Sequence, residues 1–284
     1  MKPSLMHLVL VCTAACAGCS AATEGPGSDD EGLTASSQPI VHGHADSADP
    51  AVVAIDIGGE GLCTGTLIAP GWVLTARHCV SDTVESIACP ASGPQILSDR
   101  DPATLGILVG KDAQTAKLVA LGKRIVAPSG KTLCASDLAL IELDRPVSGV
   151  KPLAVAAADE PEPGSYVRAV GFGKRGDFVG AGKKVSRDHV RVIGRSTSEF
   201  VVGESTCNGD SGGPALDTSD TVVGVVSRGG PGCEGPDARN IYTRPTAFQE
   251  LISQAVTAAS ACDSAHHCPK GYHCSSARRC EPVP

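Results

Sequence analysis

The sequence predicts an all-β fold. The chain of 284 residues contains 33 glycines and 20 prolines, and its apolar stretches are short and rich in Val, Ile, Leu and Ala. Short apolar runs separated by turn-forming residues are typical of strands joined by turns. The length is sufficient for a substantial core and for more than one folding unit.

Composition excludes several other classes of protein. Hydrophobic residues make up 42% of the chain and charged residues 19%, a balance that a wholly disordered chain does not have. The formal net charge of −7 leaves no basic surface for nucleic acid, so we expect no nucleic-acid partner.

Residues 1–19 are typical of an export signal. A positive start at Lys2 is followed by an apolar run over residues 5–11, too short to span a membrane, and then by small residues. The stretch from Cys16 to Ser20 resembles a bacterial lipobox in which Cys19 is acylated, although Leu is expected where Cys16 stands. The alternative is an ordinary cleaved signal. With acylation, Ser20 favours the outer membrane of a Gram-negative cell; without it the protein is secreted.

Residues 20–39 are expected to form a flexible tether or pro-segment, because they are rich in Gly, Ser, Asp and Glu and have few apolar residues to bury. Of the 13 cysteines, Cys12, Cys16 and Cys19 lie within the predicted signal, and the other ten follow residue 39. An even number of cysteines allows five disulfides and favours an oxidising destination.

From Ile40 onward the chain carries strand patterns and three motifs. Residues 51–57, 63–68 and 71–76 predict consecutive strands, and the third leads directly into His78-Cys79. Asp137-Leu-Ala-Leu-Ile and Gly209-Asp-Ser-Gly-Gly-Pro follow later in the chain. Each motif alone also fits a loop, a strand start or a turn.

Together the motifs supply the groups needed for nucleophilic catalysis. A serine hydroxyl such as that of Ser211 is a weak nucleophile and needs an adjacent base. His78 titrates near neutrality and suits that role, and Asp137 would fix its tautomer and stabilise the imidazolium. Backbone N–H groups of the glycine-rich loop would stabilise a developing oxyanion.

These motifs, in this order, resemble those of the trypsin/chymotrypsin family of serine proteases over about residues 40–260. The order His, Asp, Ser differs from that of subtilisins and α/β-hydrolases. We therefore identify a bacterial member of this family, with a protease domain over residues 40–259. The resemblance implies two six-stranded antiparallel β-barrels and a C-terminal helix.

The resemblance also implies the activity and its residues. The expected enzyme is a monomeric serine endopeptidase that hydrolyses proteins or peptides through an acyl-enzyme, without a cofactor or metal. Its catalytic residues would be His78, Asp137 and Ser211, with the N–H groups of Gly209 and Ser211 as the oxyanion hole. Ser227 occupies the position of a family serine that helps to hold the catalytic aspartate.

Activation is expected to follow a cut before Ile40, because Ile40-Val-His-Gly resembles the family's mature N-terminus. In the family the freed amino group pairs with the aspartate before the catalytic serine, here Asp210. Since Gln38-Pro39 precedes the cut, a processing protease other than trypsin is implied.

Three positions are expected to shape the specificity pocket. Ser205 stands where trypsins place Asp, which argues against cleavage after Arg or Lys. Asn240 lies near a position where the family usually has Gly and would narrow the cavity, favouring small or medium uncharged side chains. Gly229 is expected to belong to the same pocket. The alternative is that Glu204 turns inward and restores a basic preference.

Two cations replace family residues near the site. Arg77 stands where the family has Ala and is expected to reshape a neighbouring subsite. Arg228 stands where the family usually has Trp, between Ser227 and Gly229. We expect it to favour acidic or polar residues upstream of the scissile bond.

The resemblance implies disulfides Cys63–Cys79 and Cys207–Cys233, and Cys89 and Cys134 pair by elimination. Residues 260–284 predict a small Cys-rich module. Two disulfides of uncertain pairing are favoured over a zinc site, since the spacings match no zinc signature, and the module's role, such as attachment to an unknown partner, is open. Its cysteines recur at an interval of six: Cys262, Cys268, Cys274 and Cys280.

The protease region is expected to close with a helix. Thr246 followed by Gln249 is a capping-box pattern. One apolar helical face follows, and an interfacial anchor is disfavoured because the segment lacks a basic polar face. That face consists of Phe248, Leu251, Ile252, Ala255 and Val256.

Two functions from other classes stay open on the sequence. The first is an inactive binding protein on the same scaffold, against which the complete set of catalytic residues argues. The second is an adhesive or structural protein whose working part is the Cys-rich tail.

Overall fold

The computed structural model describes residues 39–158, 161–260, 272–274 and 280–282. The predicted signal, Cys19, nearly all of the tether, Cys262 and Cys268 lie outside the described residues. In chain order the strands are β1 (His44–Ala45), β2 (Val52–Ile57), β3 (Leu62–Ala69), β4 (Trp72–Thr75), β5 (Ser81–Thr83), β6 (Ile96–Asp99), β7 (Leu105–Val109), β8 (Lys117–Val126), β9 (Ala139–Leu143), β10 (Tyr166–Gly171), β11 (Val185–Arg195), β12 (Glu199–Val202), β13 (Pro214–Leu216), β14 (Val222–Gly230), β15 (Arg239–Thr243), β16 (Tyr272–Cys274) and β17 (Cys280–Pro282).

The strands form two antiparallel barrels. In the first, β2, β3, β4, β9, β8 and β7 close in that order into a six-stranded ring. In the second, β10, β13, β14, β15, β12 and β11 form the ring, because β11 pairs with both β10 and β12. Strand β1 extends the outer edge of β11. The predicted fold of two six-stranded antiparallel barrels is confirmed.

Local patterning explains where the strands lie. The three apolar runs at the start of the protease region became β2, β3 and β4, with residues 52–55 of β2 fully buried in the first barrel. Strand β10 ends at Gly171. It stops there because the Phe172 N–H turns to the Thr64 side chain, at 3.0 Å, instead of a neighbouring strand.

One buried cluster crosses the boundary between the barrels. It contains the first-barrel core and also Val170, Phe172 and Val225 of the second barrel. A separate cluster fills the second barrel around Phe200 and Tyr242, whose rings stack at 5.0 Å. The residues just after β4 and just before β9 and the middle of β14 contribute Ala76, Leu138 and Val225 to this cluster, so side chains from both barrels meet at their boundary.

The C-terminal helix α1 (Gln249–Ser260) begins later than a capping box at Thr246 requires. Pro245 starts a 3₁₀ turn over Pro245–Phe248, which leads into the helix, and Thr246 Oγ1 is buried without a hydrogen-bond partner. The predicted capping box is therefore wrong. The predicted apolar face is confirmed, because Ile252 and Ala255 are buried against the shared cluster.

Disulfides join Cys63 to Cys79, Cys89 to Cys134 and Cys207 to Cys233. In the tail, β16 and β17 pair as an antiparallel two-stranded sheet in which Cys274 lies opposite Cys280, and Cys274 is disulfide-bonded. No helix in the described part of the chain has the length and apolar character needed to cross a membrane.

Candidate active site

His78 and Asp137 are brought together by neighbouring strands. His78 lies in a 3₁₀ turn that begins two residues after β4 ends, and Asp137 lies two residues before β9 begins. Strands β4 and β9 pair so that Thr75 lies opposite Ala139, which places the two side chains side by side. His78 Nδ1 lies 2.8 Å from Asp137 Oδ2, and the His78 backbone N–H donates to Asp137 Oδ1 at 3.0 Å.

The carboxylate of Asp137 is buried but well bonded. Ser227, on β14, donates its hydroxyl to Asp137 Oδ2 at 2.6 Å. Burial disfavours the charged forms of both His78 and Asp137, but the attraction between the two charges and their hydrogen bonds outweigh this effect. The pKa of His78 is consequently raised and the pKa of Asp137 lowered. An ionised Asp137 thus holds a histidine whose Nε2 can serve as a base.

The loop that carries Ser211 is clamped by Thr64 of the first barrel. The Thr64 N–H donates to Ser211 O at 2.8 Å, and its hydroxyl donates to Gly209 O at 2.9 Å. Gly212 has a φ of +82°, and a Cβ there would lie 2.1 Å from Thr75 Oγ1. Only glycine fits this approach, so the sequence of the loop fixes Ser211 at the boundary between the barrels.

Two backbone N–H groups of this loop are available to a ligand. The backbone N–H groups of Asp210, Gly212 and Gly213 already donate to backbone carbonyls. Within the described residues, neither the Gly209 nor the Ser211 N–H donates a hydrogen bond. A pair of unused donors beside a serine hydroxyl is the arrangement that stabilises an oxyanion.

Ser211 and Ser227 both line a cavity of about 320 Å³. No described hydrogen bond joins the His78 ring to the Ser211 hydroxyl. Catalytic hydrogen bonds are often long without substrate and shorten when it binds.

The comparison with known families agrees with this geometry: the Trypsin family model matches residues 40–252. The chain belongs to the trypsin family. Serine protease 56 from Mus musculus is 25% identical over 237 residues, which cover 74% of this chain and 37% of the relative. Kallikrein 1-related peptidase b26 from Mus musculus is 29% identical, covering 74% of this chain and 86% of the relative.

The similarity extends to trypsin from Saccharopolyspora erythraea, which is 25% identical over 74% of this chain and 93% of the relative. The matched part of this trypsin-family chain therefore spans most of that relative and of the kallikrein-related peptidase. It spans 37% of the length of Serine protease 56.

The cavity beside Ser211 is polar and has an uncharged inner wall. Asn240 accepts a hydrogen bond from the Thr206 hydroxyl at 2.8 Å and donates to Gly203 O at 3.0 Å. Its Oδ1 lies 2.6 Å from where a Cβ on Gly229 would be, so Asn240 occupies the space opposite that glycine. Thr206, Gly229 and Asn240 line the cavity.

The structure differs from two expectations about the pocket. Ser205 is completely buried and lies outside the cavity lining, where its neighbour Thr206 takes its place. Glu204 does not turn inward: it lies 3.0 Å from His42 Nε2 and accepts the Gly235 N–H at 2.6 Å. Arg187 donates to its backbone carbonyl at 2.8 Å. The alternative in which Glu204 supplies a basic preference is wrong for this structure.

The two unusual cations are both paired. Arg77 is buried, forms an ion pair with Asp99 and does not line the cavity beside Ser211. Arg228 lines the cavity but binds Glu199 with both terminal nitrogens. The charge of Arg228 is therefore balanced by Glu199, a partner that the sequence did not indicate.

Sequence patterns missed two residues of the site. Asp177 supplies the only carboxylate of the described cavity lining and accepts the Cys233 N–H at 3.2 Å. Thr64 clamps the serine loop across 145 residues of sequence. Neither residue lies in a recognisable motif. The one local signal is that Thr64 follows Cys63, a cysteine of the predicted disulfide to Cys79.

The residues expected to take part in activation lie in the second barrel. Ile40 is completely buried and has a φ of 40°, which is strained for a β-branched residue. The oxygens of Asp210 accept the Gly173 N–H at 2.7 Å and the Cys207 N–H at 2.9 Å. Burial nevertheless raises the pKa of Asp210 to about 7. In this uncut chain no described hydrogen bond joins the Ile40 nitrogen to Asp210.

Proposed function

We propose that this chain is a serine endopeptidase that acts through His78, Asp137 and Ser211. The observation that carries the proposal is the buried Asp137 bonded at 2.8 Å to His78, beside a cavity that contains Ser211. Membership of the trypsin family supports the same reaction class.

In the proposed reaction the Ser211 hydroxyl attacks the peptide carbonyl while His78 Nε2 takes its proton. The N–H groups of Gly209 and Ser211 stabilise the tetrahedral oxyanion. His78 then returns the proton to the leaving amine, and the acyl group stays on Ser211. Water activated by His78 attacks this ester and releases the second product. Asp137 stays ionised throughout and stabilises the imidazolium.

We propose that the enzyme prefers small or medium uncharged side chains before the scissile bond. The Thr206–Asn240 hydrogen bond closes the inner wall with neutral groups. This neutral inner wall offers no partner to the charged end of an Arg or Lys side chain.

We further propose that the protein is an exported bacterial precursor and acts as a monomer. Three disulfides within the barrels support an oxidising destination. A processing protease cuts before Ile40, either in a secreted chain or in an outer-membrane lipoprotein tethered through Cys19. The Cys-rich tail binds a partner of unknown identity.

The test combines fluorophosphonate labelling with a panel of p-nitroanilide peptides, applied to protein cut before Ile40. Ser211→Ala should abolish labelling and lower hydrolysis on the order of 10⁶-fold, whereas exposed Ser253→Ala should leave both unchanged. If the cut wild-type protein neither reacts with the fluorophosphonate nor hydrolyses any peptide, it is an inactive binding protein. Fastest hydrolysis after Arg or Lys would overturn the proposed preference but not the activity.

A further inference from the structure

Arg228 gives one wall of the cavity a positive charge. It follows Ser227 on β14, lines the cavity, and has a side chain that is 18% exposed. Its NH1 also donates to the Ser227 hydroxyl at 3.3 Å, which directs the guanidinium along the strand beside the catalytic residues. By itself, such a cation would attract acidic substrates.

Glu199 on β12 pairs with Arg228 and neutralises this charge without itself lining the cavity. Its carboxylate accepts Arg228 NH1 at 2.6 Å and NH2 at 3.0 Å, and its Oε1 also accepts the Ala135 N–H at 3.0 Å. Glu199 is 15% exposed and lies outside the cavity lining. A paired guanidinium and carboxylate held in this planar geometry act on a substrate as a dipole instead of a free charge.

The pairing is specific because three contacts fix the carboxylate. β12 is joined to β15, and β15 to β14, so the second barrel itself sets the distance between Glu199 and Arg228. The Ala135 N–H belongs to the segment between Cys134 and Asp137, which ties the pair to the approach to the catalytic aspartate. A substrate cannot displace Glu199 without breaking all three bonds.

We propose that Glu199 is a positioning residue that determines specificity through Arg228. By cancelling the charge of Arg228, it makes the protease indifferent to the charge of substrate residues that contact this wall. The inference rests on the proposed peptidase activity, and it assigns a role to a residue that does not touch the substrate.

The test uses peptides that share one uncharged residue directly before the scissile bond and differ only in carrying Glu, Gln or Lys at one of the three positions further upstream. The wild-type kcat/KM should be similar for all three. Glu199→Gln should leave Arg228 unpaired and favour the Glu peptide over the Lys peptide by about three- to five-fold, the range of a partly exposed ion pair. Arg228→Gln should favour Lys instead, and the double variant should again be indifferent.

The matched control is Glu142→Gln on the first barrel, where Glu142 is 16% exposed and binds Lys123 and Arg124. It should leave the peptide ratios unchanged. A purely structural role for Glu199 would lower kcat/KM equally for every peptide, and that result would overturn the inference. A wild-type preference for the Glu peptide would overturn it as well.

The peptide ratios of Arg228→Gln are measured independently of Glu199→Gln, so the inference stays testable if Glu199→Gln does not fold. Hydrolysis of the Gln peptide by wild type, lost in Ser211→Ala, tests the proposed function independently.

Discussion

The Asp137 carboxylate shows how single residues decide the chemistry of this site. A buried carboxylate normally gains a proton, but His78 and Ser227 provide hydrogen bonds at 2.8 and 2.6 Å that favour its ionised form. The same contacts favour protonated His78. In the proposed reaction, the base that takes the Ser211 proton is therefore stronger than a free imidazole.

This coupling predicts an acid limit to activity. Hydrolysis needs neutral His78, and because the pKa of His78 is raised above 6.5, kcat/KM should fall as the pH drops through a value above 6.5. Asp137→Asn should shift this limit to lower pH and reduce kcat about 10⁴-fold, since the amide can hold the wrong tautomer. The measurement is a pH profile of kcat/KM, with NMR titration of His78 where the variant is too slow. A limit at the same pH in both proteins would contradict the argument.

Sequence motifs indicated the residues that we propose carry the chemistry but not the residues that contact them. His78, Asp137 and Ser211 stand in short recognisable strings. Thr64 and Glu199 do not, because their partners are distant in sequence and meet them only when strands of the folded barrels lie side by side. For the same reason the sequence showed a cation at Arg228 but not the Glu199 carboxylate that pairs with it.

Among the larger elements, strands were easier to predict than the start of the helix. An apolar run bounded by Gly or Pro is a strong local signal, and three such runs gave β2, β3 and β4. The helix start depended on competition between Thr246 and the preceding Pro245. Proline fixes φ and lacks an N–H, so it takes the first position of the 3₁₀ turn and leaves Thr246 inside it.

The helix start therefore predicts an unusual tolerance. Thr246→Ala should change the free energy of unfolding by less than about 0.5 kcal/mol, because its hydroxyl has no hydrogen-bond partner to lose. Asp101→Ala should cost more, about 0.5–2 kcal/mol, since the Asp101 carboxylate caps a 3₁₀ turn by accepting the Ala103 N–H at 3.0 Å. Urea denaturation of both variants gives the comparison. If Thr246→Ala lowered the free energy of unfolding more than Asp101→Ala does, Thr246 would cap the helix after all, as the sequence pattern predicted.

At the scale of the whole molecule, the number of barrels could be predicted only through the family resemblance. Composition and periodicity indicate many strands, but they do not specify how β11 closes the second ring by pairing with both β10 and β12. The position of Ile40 in the second-barrel core was not predicted for an uncut chain. Because Ile40 has a strained torsion and Asp210 is buried, we expect a cut before Ile40 to change the stability of the folded chain.

This leads to a prediction about the precursor and the cut enzyme. In the uncut chain the pKa of Asp210 is about 7, far above its ordinary value of 3.8, so the folded state binds a proton more tightly than the unfolded state. The stability of the uncut chain should therefore fall as the pH rises from about 4 to about 7. After cutting, the cationic amino group of Ile40 would pair with Asp210 and lower its pKa. The cut enzyme should show the opposite trend, losing the contribution of this pair as the pH falls toward 4.

Melting temperatures at several pH values test this in a Ser211→Ala background, with residues before Ile40 replaced by a site for a specific protease. Asp210→Asn should remove both trends, whereas Asp217→Asn, which alters a less buried carboxylate, should keep them. Trends are compared instead of absolute stabilities, because an amide loses one of the two acceptors that bond Gly173 and Cys207. With Ser211 restored, cutting should switch activity on and Asp210→Asn should prevent it. A fully active form that keeps residues before Ile40, or a fully active Asp210→Asn enzyme, would exclude this activation mechanism.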